Sequence, residues 1–476
     1  MSEPYKANKT GLAITSRHLL LSGLILLCVL VAVLACIVDP RYLLVAIGGM
    51  LVIFLMIKYD YFGLMVYLVV FLIRPGETYT VLNTIRLELV LGASLSFLTL
   101  LKNKFRYGQF TIPDSKLNTD FLMLLGAMFL SLAFSACKDC TTNSLMDMLK
   151  LGIFYLLIIL QIDSKKRLEI FFWLFIIVNA KMAFDVTYGF YHGRAIFNQG
   201  LNRAQGINST MDNFNGIAIT MNTMIPFVYY LFLHYKAFWK KAIMGAILIL
   251  FFWTLIITGS RGGLLGFLSI LGFIWWQSRH KLVMAVALVF LLIAGWMNLG
   301  EDSRARYSSI LDDNLDASSE NRVKAWKDGL ELFVTHPLAG VGAGAFAWAR
   351  VERFGIYLNP HNLYVQVLAE LGSIGTFIFA MFLIDIFRIN RRIIKKVQVR
   401  GSPHALLEPF ARATIIACLS LLVTGVFAHS AYRYTWYLLA ALTVVSQQFA
   451  RMEPEEIAAV PREAQSPKAA ESLPHD

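Results

Sequence analysis

Charge is what this sequence has least of: of 476 residues, 16% are Asp, Glu, Lys or Arg, against roughly 25% in an average soluble domain. That shortfall argues against a soluble enzyme. Cysteine is scarce as well, and five thiols cannot form a disulfide framework in a chain of this length. No repeat recurs at a fixed period, and no Asp-x-Asp pair offers a metal two spaced carboxylates. What abounds is apolar side chain, at 57% of residues and a mean hydropathy of +0.60. Lys and Arg outnumber Asp and Glu by 43 to 31, a formal charge of +12. In a soluble protein that excess would suggest nucleic acid; in a membrane protein it records which loops face the cytoplasm.

A membrane-crossing helix needs about 20 apolar residues. The clearest runs are Leu19–Val38, Ile217–Leu233, Leu282–Met297, His361–Phe387 and Thr414–Ala428. Shorter ones lie at Tyr42–Ile57, Tyr61–Ile73, Leu87–Leu101, Phe121–Phe134, Leu149–Ile162, Leu168–Phe184, Ala242–Ile257, Leu264–Trp276 and Trp436–Phe449. Together they predict an all-α polytopic membrane helix bundle of about 12–14 spans, with Tyr61–Ile73 either a span or a re-entrant segment.

One threading from a cytoplasmic N-terminus places every basic cluster on the same side, including Arg388–Arg391–Arg392–Lys395–Lys396–Arg400. It implies a cytoplasmic N-terminus (1–18), an N-terminal membrane bundle (19–297), an outer loop (298–360), C-terminal membrane helices (361–449) and a disordered cytoplasmic tail (450–476). Val33-Leu34-Ala35-Cys36 faintly resembles a lipoprotein box, but more membrane follows at once, so the first run reads as an anchor.

The outer loop of about 60 residues is long enough to demand a use. In it Ser318-Ser319 could cap a helix with a stripe of Val323, Trp326, Leu330 and Phe333, ended by His336-Pro337. Gly340-Val341-Gly342-Ala343-Gly344 follows no strand and fits flexible turn glycines, or else a backbone nest for an anion. Asp312, Asp313 and Asp316 read as a solvated face, and Cys137 and Cys140 as incidental thiols or a local disulfide rather than a zinc site.

Three side chains stand where spans begin or end on the outer face: Arg203, Arg261 and His361. Each has a plain alternative, either an arginine reaching lipid phosphate or a histidine capping a helix. Outward arginines nevertheless run against the sorting of charge. Guanidinium binds phosphate oxygens bidentately and keeps its charge. His361, after Pro360, is expected in the first turn of a long helix, whose positive end would keep the imidazole neutral and able to act as a base. Two arginines and a neutral histidine suit group transfer with a diphosphate leaving group.

Arg203 before a span, Ser260-Arg261-Gly262-Gly263, Asn321-Arg322-Val323-Lys324-Ala325-Trp326, His336-Pro337-Leu338-Ala339-Gly340 and Pro360-His361-Asn362 with Glu370-Leu371-Gly372 together resemble the O-antigen ligase and polymerase superfamily. The resemblance covers roughly residues 195–380. It implies a metal-independent inverting glycosyltransferase of the GT-C type, without cofactor, at the periplasmic face of the bacterial inner membrane. The donor would be an undecaprenyl-diphosphate-linked glycan. The acceptor would be lipid A-core or a second lipid-linked glycan. Arg203 and Arg261 would bind diphosphate and His361 would be the base, with Arg322 and Glu370 as weaker candidates. Glu370 lies nine residues along the helix from His361, half a turn around it. Membrane lipids are expected partners and nucleic acid is not. A transporter or flippase is the rival from another class, but the spans hold few ionisable residues beyond Lys181, Glu370 and Asp385.

Overall fold

The computed structural model describes residues 49–451, apart from 51, 53, 57, 85, 109–111, 199–200, 212, 279, most of 284–316 and 399–405. The chain divides into two compact units, Met1–Gly63 and Leu64–Asp476, and the candidate site lies in the second. Helices dominate: α1 (Asp60–Ile73), α2 (Pro75–Thr78), α3 (Thr80–Thr84), α4 (Leu87–Tyr107), α5 (Lys116–Ala133), α6 (Lys138–Gln161), α7 (Lys165–Tyr191), α8 (Phe214–His234), α9 (Phe238–Ile257), α10 (Arg261–Gln277), α11 (Ala317–Thr335), α12 (Phe346–Phe354), α13 (Leu363–Val397), α14 (Leu407–Gly425) and α15 (Tyr434–Arg451). The strands β1 (Ile196–Asn198) and β2 (Leu201–Arg203) pair as an antiparallel ribbon between α7 and α8. The all-α polytopic architecture expected from the sequence is the one observed.

Among the described residues, seven helices are long and apolar enough to cross a membrane: α5–α9, α13 and α14. Each falls on a run read from the sequence. The expectation of 12–14 is larger for identifiable reasons. Leu19–Val38, the N-terminus (1–18) and 452–476 lie outside the described residues, as do most of Leu282–Met297 and of Tyr42–Ile57. The acidic cluster Asp312, Asp313 and Asp316 lies outside them too. Leu87–Leu101, Leu264–Trp276 and Trp436–Phe449 do fold as helices, but α4 carries Glu88 and three basic residues, and α10 has only 17 residues. α15 carries polar Ser446, Gln447 and Gln448 in its last two turns and ends at Arg451.

Helices surrounded by lipid tails gain little from apolar burial against one another, so small and polar contacts matter more. α8, buried on most faces, packs on α9, α10 and α14. Asn222 donates to the Gly263 carbonyl (2.8 Å) and Ser420 to the Gly266 carbonyl (2.9 Å). Of the ionisable groups within spans, Lys181 is partnered by Asp185 and Glu370 by donors of three other residues, while Asp385 meets Arg388 at 3.7 Å and lies beside a second buried carboxyl group, Asp120 of α5.

α13 is broken at Gly372, whose φ of 63° and ψ of −163° are outside the helical region. A broken helix within a membrane domain needs other partners for its freed backbone groups. The segment 337–342 provides them. The N–H groups of Val341 and Gly342 donate to Ala369 and Glu370 carbonyls (2.9 and 3.1 Å), and those of Ser373 and Ile374 to Pro337 and Leu338 carbonyls (2.8 and 3.3 Å). Gly340, Gly342 and Gly344 all have positive φ. An added Cβ would come within 2.6 Å of Glu370, Ser135 and Ser144 atoms respectively. The flexible-turn expectation therefore needs correction: these are docking glycines, held against α13 and the start of α6.

The loop helix α11 also departs from expectation. It starts at Ala317, so Ser318 and Ser319 lie in its first turn rather than at its cap. Leu330 is half exposed, and the inward face is Ala325, Asp328, Gly329 and Leu332. It does end at Thr335, before His336-Pro337. Asp328 receives the Nε of Arg350 on α12 at 2.7 Å, and both side chains are buried. Removing one partner of such a pair strands a buried charge, at a cost of about 3–5 kcal/mol. Asp328→Ala should therefore unfold at clearly lower temperature in detergent, and Asp328→Ala combined with Arg350→Met should recover much of the loss. Equal melting of the parent and both variants would show the pair to be dispensable.

Candidate active site

Three N-caps gather the candidate residues at one end of the bundle. Asn213 opens α8, Ser260 opens α10 and Asn362 opens α13, each accepting hydrogen bonds from N–H groups two or three residues ahead. Ser260 Oγ also donates to Asn215 Oδ1 at 2.7 Å, tying two of these ends together.

His361 is not in the first turn of α13, as its sequence position suggested. Asn362 takes the cap, because its short carbonyl reaches the Tyr364 and Val365 N–H groups at 2.9 and 3.0 Å. That leaves His361 one residue outside, with a left-handed φ of 45°. Such backbone costs a residue with a Cβ roughly 1–2 kcal/mol and persists only where the surroundings enforce it. Here Trp326 on α11 donates its indole N–H to the Pro360 carbonyl at 2.9 Å. The histidine is half-buried, and its proton affinity falls from 6.5 to about 4, first through burial and then through the neighbouring cations His429 and Arg322. Neutrality at physiological pH is as expected, but its source is not the helix end.

His429 was not singled out in the sequence. Its ring meets that of His361 edge-on, with centroids 5.0 Å apart. Three residues spaced by four along one face of α13 hold the segment that carries it. Asn362 Nδ2 donates to the Val426 carbonyl (3.1 Å), Gln366 Oε1 accepts from Ala431 N–H (3.1 Å), and Glu370 Oε2 accepts from Tyr432 Oη (2.8 Å). Glu370 also accepts the Gly344 N–H at 2.9 Å. Its carboxylate is turned to the packing between α13, the glycine loop and Tyr432; because His361 lies outside the helix, the half-turn offset expected from the sequence does not apply. The sequence signal for His429 was a histidine directly after an apolar span, in the same short outer turn as Ser430–Thr435.

Arg203 is buried, with 1% of its surface exposed. At the end of β2, its Nε donates to the Thr258 carbonyl at 2.7 Å and a terminal nitrogen to the Gly259 carbonyl at 3.3 Å. The guanidinium lies 3.2 Å from the Phe214 ring centroid. These carbonyls end α9, where cations are favoured. Arg203 thus grips the turn Thr258–Ser260 from inside rather than facing outward as expected. Arg261, the next residue along that turn, is half-exposed and donates to Ser319 Oγ on α11 at 3.3 Å. Arg322, one helical turn beyond Ser319, is near enough to His361 to lower its proton affinity. The start of α11 therefore links Arg261 to the His361–His429 pair. Away from these residues, Cys137 and Cys140 are joined in a disulfide at the start of α6, with Cα atoms 5.3 Å apart.

A half-buried neutral imidazole with guanidinium groups on its rim can accept a proton while negative charge is held nearby. Residues 246–380 match the family model described as O-antigen ligase. Arg261, Arg322, His361 and Glu370 fall within the matched stretch, while Arg203 and His429 fall outside it. No curated protein matches the chain. The turn at Arg261, the loop helix α11 and Pro360-His361-Asn362 all lie inside the match, so this multi-pass membrane protein is similar over that stretch to the O-antigen ligase family.

Proposed function

We propose that the protein is a metal-independent inverting glycosyltransferase of the bacterial inner membrane, working at the periplasmic face. It moves a glycan from undecaprenyl diphosphate to an acceptor hydroxyl, in the first instance on lipid A-core. The observation that carries this reading is the strained, neutral His361 beside Arg322, bridged by α11 to Arg261. The acceptor oxygen attacks the anomeric carbon as its proton passes to His361. The carbon–oxygen bond to the diphosphate breaks, and its electron pair leaves on the phosphate oxygen. Arg261 and Arg322 hold that charge. Arg203 sets the Thr258–Ser260 turn from behind and adds its field. With guanidinium groups in the cation's role, transfer should persist undiminished in excess chelator; loss of activity restored by a divalent ion would overturn metal independence.

A base with a proton affinity near 4 is weak, and the donor itself corrects this. A bound diphosphate offsets the Arg322 and His429 cations and raises the basicity of His361. The acidic limb of kcat, which reports the loaded enzyme, should therefore lie at higher pH than that of kcat/KM, which reports the free enzyme and falls as pH drops through about 4. His429→Gln removes one of the two cations, so its kcat/KM limb should move to higher pH. Coincident limbs and an unmoved His429→Gln profile would contradict this electrostatic account.

The test of the reaction is to offer the purified protein a lipid-linked glycan with either lipid A-core or a second lipid-linked glycan. Consumption of the first acceptor marks a ligase and of the second a polymerase, with the same residues in the same roles. Transfer to neither would overturn the enzyme reading in favour of transport. The partnered state of Lys181 and Glu370 favours transfer over an ion-coupled cycle.

A further inference from the structure

A cavity of about 620 Å³ opens between the end of α1, the short helices α2 and α3, the start of α4 and residues 142–150 of α6. Its wall carries six charged side chains: Arg74, Glu77, Arg86, Glu88, Asp147 and Lys150. Most of this charge is internally matched. Arg74 pairs with Glu77 at 3.4 Å and faces Glu88 at 3.9 Å, and Lys150 pairs with Asp147 at 2.8 Å.

What remains is a set of uncommitted polar groups. The guanidinium of Arg86 and the amides of Asn83 and Asn143 have no hydrogen-bond partner among the described residues. Glu88 accepts no hydrogen bond either, since its contact with Arg74 is too long for one. The cavity therefore offers spare donors and spare acceptors side by side. Val70, Leu89 and Met146 complete it as apolar wall. Three carboxylates discourage a bare phosphate, and the matched charges discourage an acyl chain. Hydroxyl groups, each both donor and acceptor, fit this mixture, and the C–H faces of a sugar ring fit the apolar wall.

Two further observations tie the cavity to the site. Of the three non-glycine residues with positive φ among the described residues, two, Arg74 and Arg86, line the cavity, and the third is His361. One short segment also joins them. Arg74 and Glu77 both hydrogen-bond Ser209, while the adjacent Thr210 carbonyl accepts from Arg433, four residues from His429. Asn208 in the same segment donates to the Leu72 and Ile73 carbonyls at 3.0 and 2.9 Å. Cavity and histidine pair thus flank a single segment that leads out of Arg203.

We propose that this cavity is a saccharide subsite, holding sugar residues of one lipid-linked substrate while its reacting atom lies at His361. The inference rests on the glycosyl-transfer reading and adds where the glycan is held. Either the acceptor glycolipid or the donor could bring the sugar. Both are probed in nanodiscs, with the full chain carrying His361→Ala to prevent turnover. Binding of undecaprenyl-diphosphate-linked glycan and of lipid A-core glycolipid is measured with Arg86→Gln, Glu88→Gln or Asn143→Ala added. Thermal unfolding checks the fold, and the exposed Asn143→Ala supports a reading if either Gln variant is unstable.

One glycolipid should lose about tenfold in affinity, as for one or two hydrogen bonds, and the other should be unchanged. The lipid weakened identifies the source. The same lipids stripped of sugar should bind all variants alike. Unchanged affinity for both glycolipids overturns the proposal, as does equal weakening of the stripped lipids or failure of the parent protein to bind either glycolipid. Sugar-dependent binding lost in the variants, in a protein that transfers to no acceptor, would overturn the reaction and leave the subsite standing.

Discussion

His361→Ala should lower glycan transfer by about 10²–10⁴, the span that general-base help provides, with donor binding close to that of the parent. The separation follows from placement. His361 stands one residue outside the cap of α13, and no hydrogen bond of the helix depends on its side chain, since Asn362 makes the cap. Its removal also relieves a crowded pair of imidazoles instead of opening a core. Purified protein, a lipid-linked glycan and a defined acceptor give kcat, while equilibrium binding of the donor gives affinity. Full transfer by His361→Ala would remove the base from the mechanism. A variant that lost donor binding in step with kcat would recast His361 as a binding residue.

Arg261 is expected to show the second large effect. Arg261→Ala removes a charge from where the diphosphate leaves, and the loss of one such preorganised donor typically costs about 10²–10³ in kcat. Arg261→Lys keeps the charge but not the planar fork, so it should recover only a minor part. Arg203→Lys makes an instructive comparison. Arg203 is buried with its donors directed to the Thr258 and Gly259 carbonyls, so lysine there should lower thermal stability together with activity. Arg261 is half-exposed at the first position of α10, so its variants should melt like the parent. Full activity of Arg261→Lys would reduce the guanidinium to a point charge and count against bidentate binding.

Much of the fold was legible because lipid imposes a coarse rule: a segment must be long, apolar and helical to cross. Runs such as Ile217–Leu233 and Thr414–Ala428 therefore map directly onto α8 and α14. Arg261 and His361 were legible for the complementary reason, as polar side chains at the ends of such runs. What stayed hidden depends on contacts between distant segments. The burial of Arg203 comes from carbonyls 55 and 56 residues away. His429 reaches His361 only because Asn362, Gln366 and Glu370 hold Val426, Ala431 and Tyr432. The misplacement of His361 within α13 was different, since Asn362 is the better capping residue and could have been chosen from the sequence. In the glycine loop the residue type was informative but its reason was not, because close approach to α13 cannot be read from glycine spacing.

The break in α13 has a mechanical consequence. Four backbone hydrogen bonds lock residues 337–342 to the helix on both sides of Gly372, so the loop and the first two turns of α13 form one rigid piece. That piece cannot swing like a lid about the glycines, for such a swing would tear four bonds at once in poorly hydrated surroundings. A glycolipid must instead reach His361 past the opposite margin, where half-exposed Arg261 donates to Ser319 across 3.3 Å at the start of α11. The seam that yields first should be there, and amide exchange should be slow at Val341, Gly342, Ser373 and Ile374 while it is faster along the start of α11.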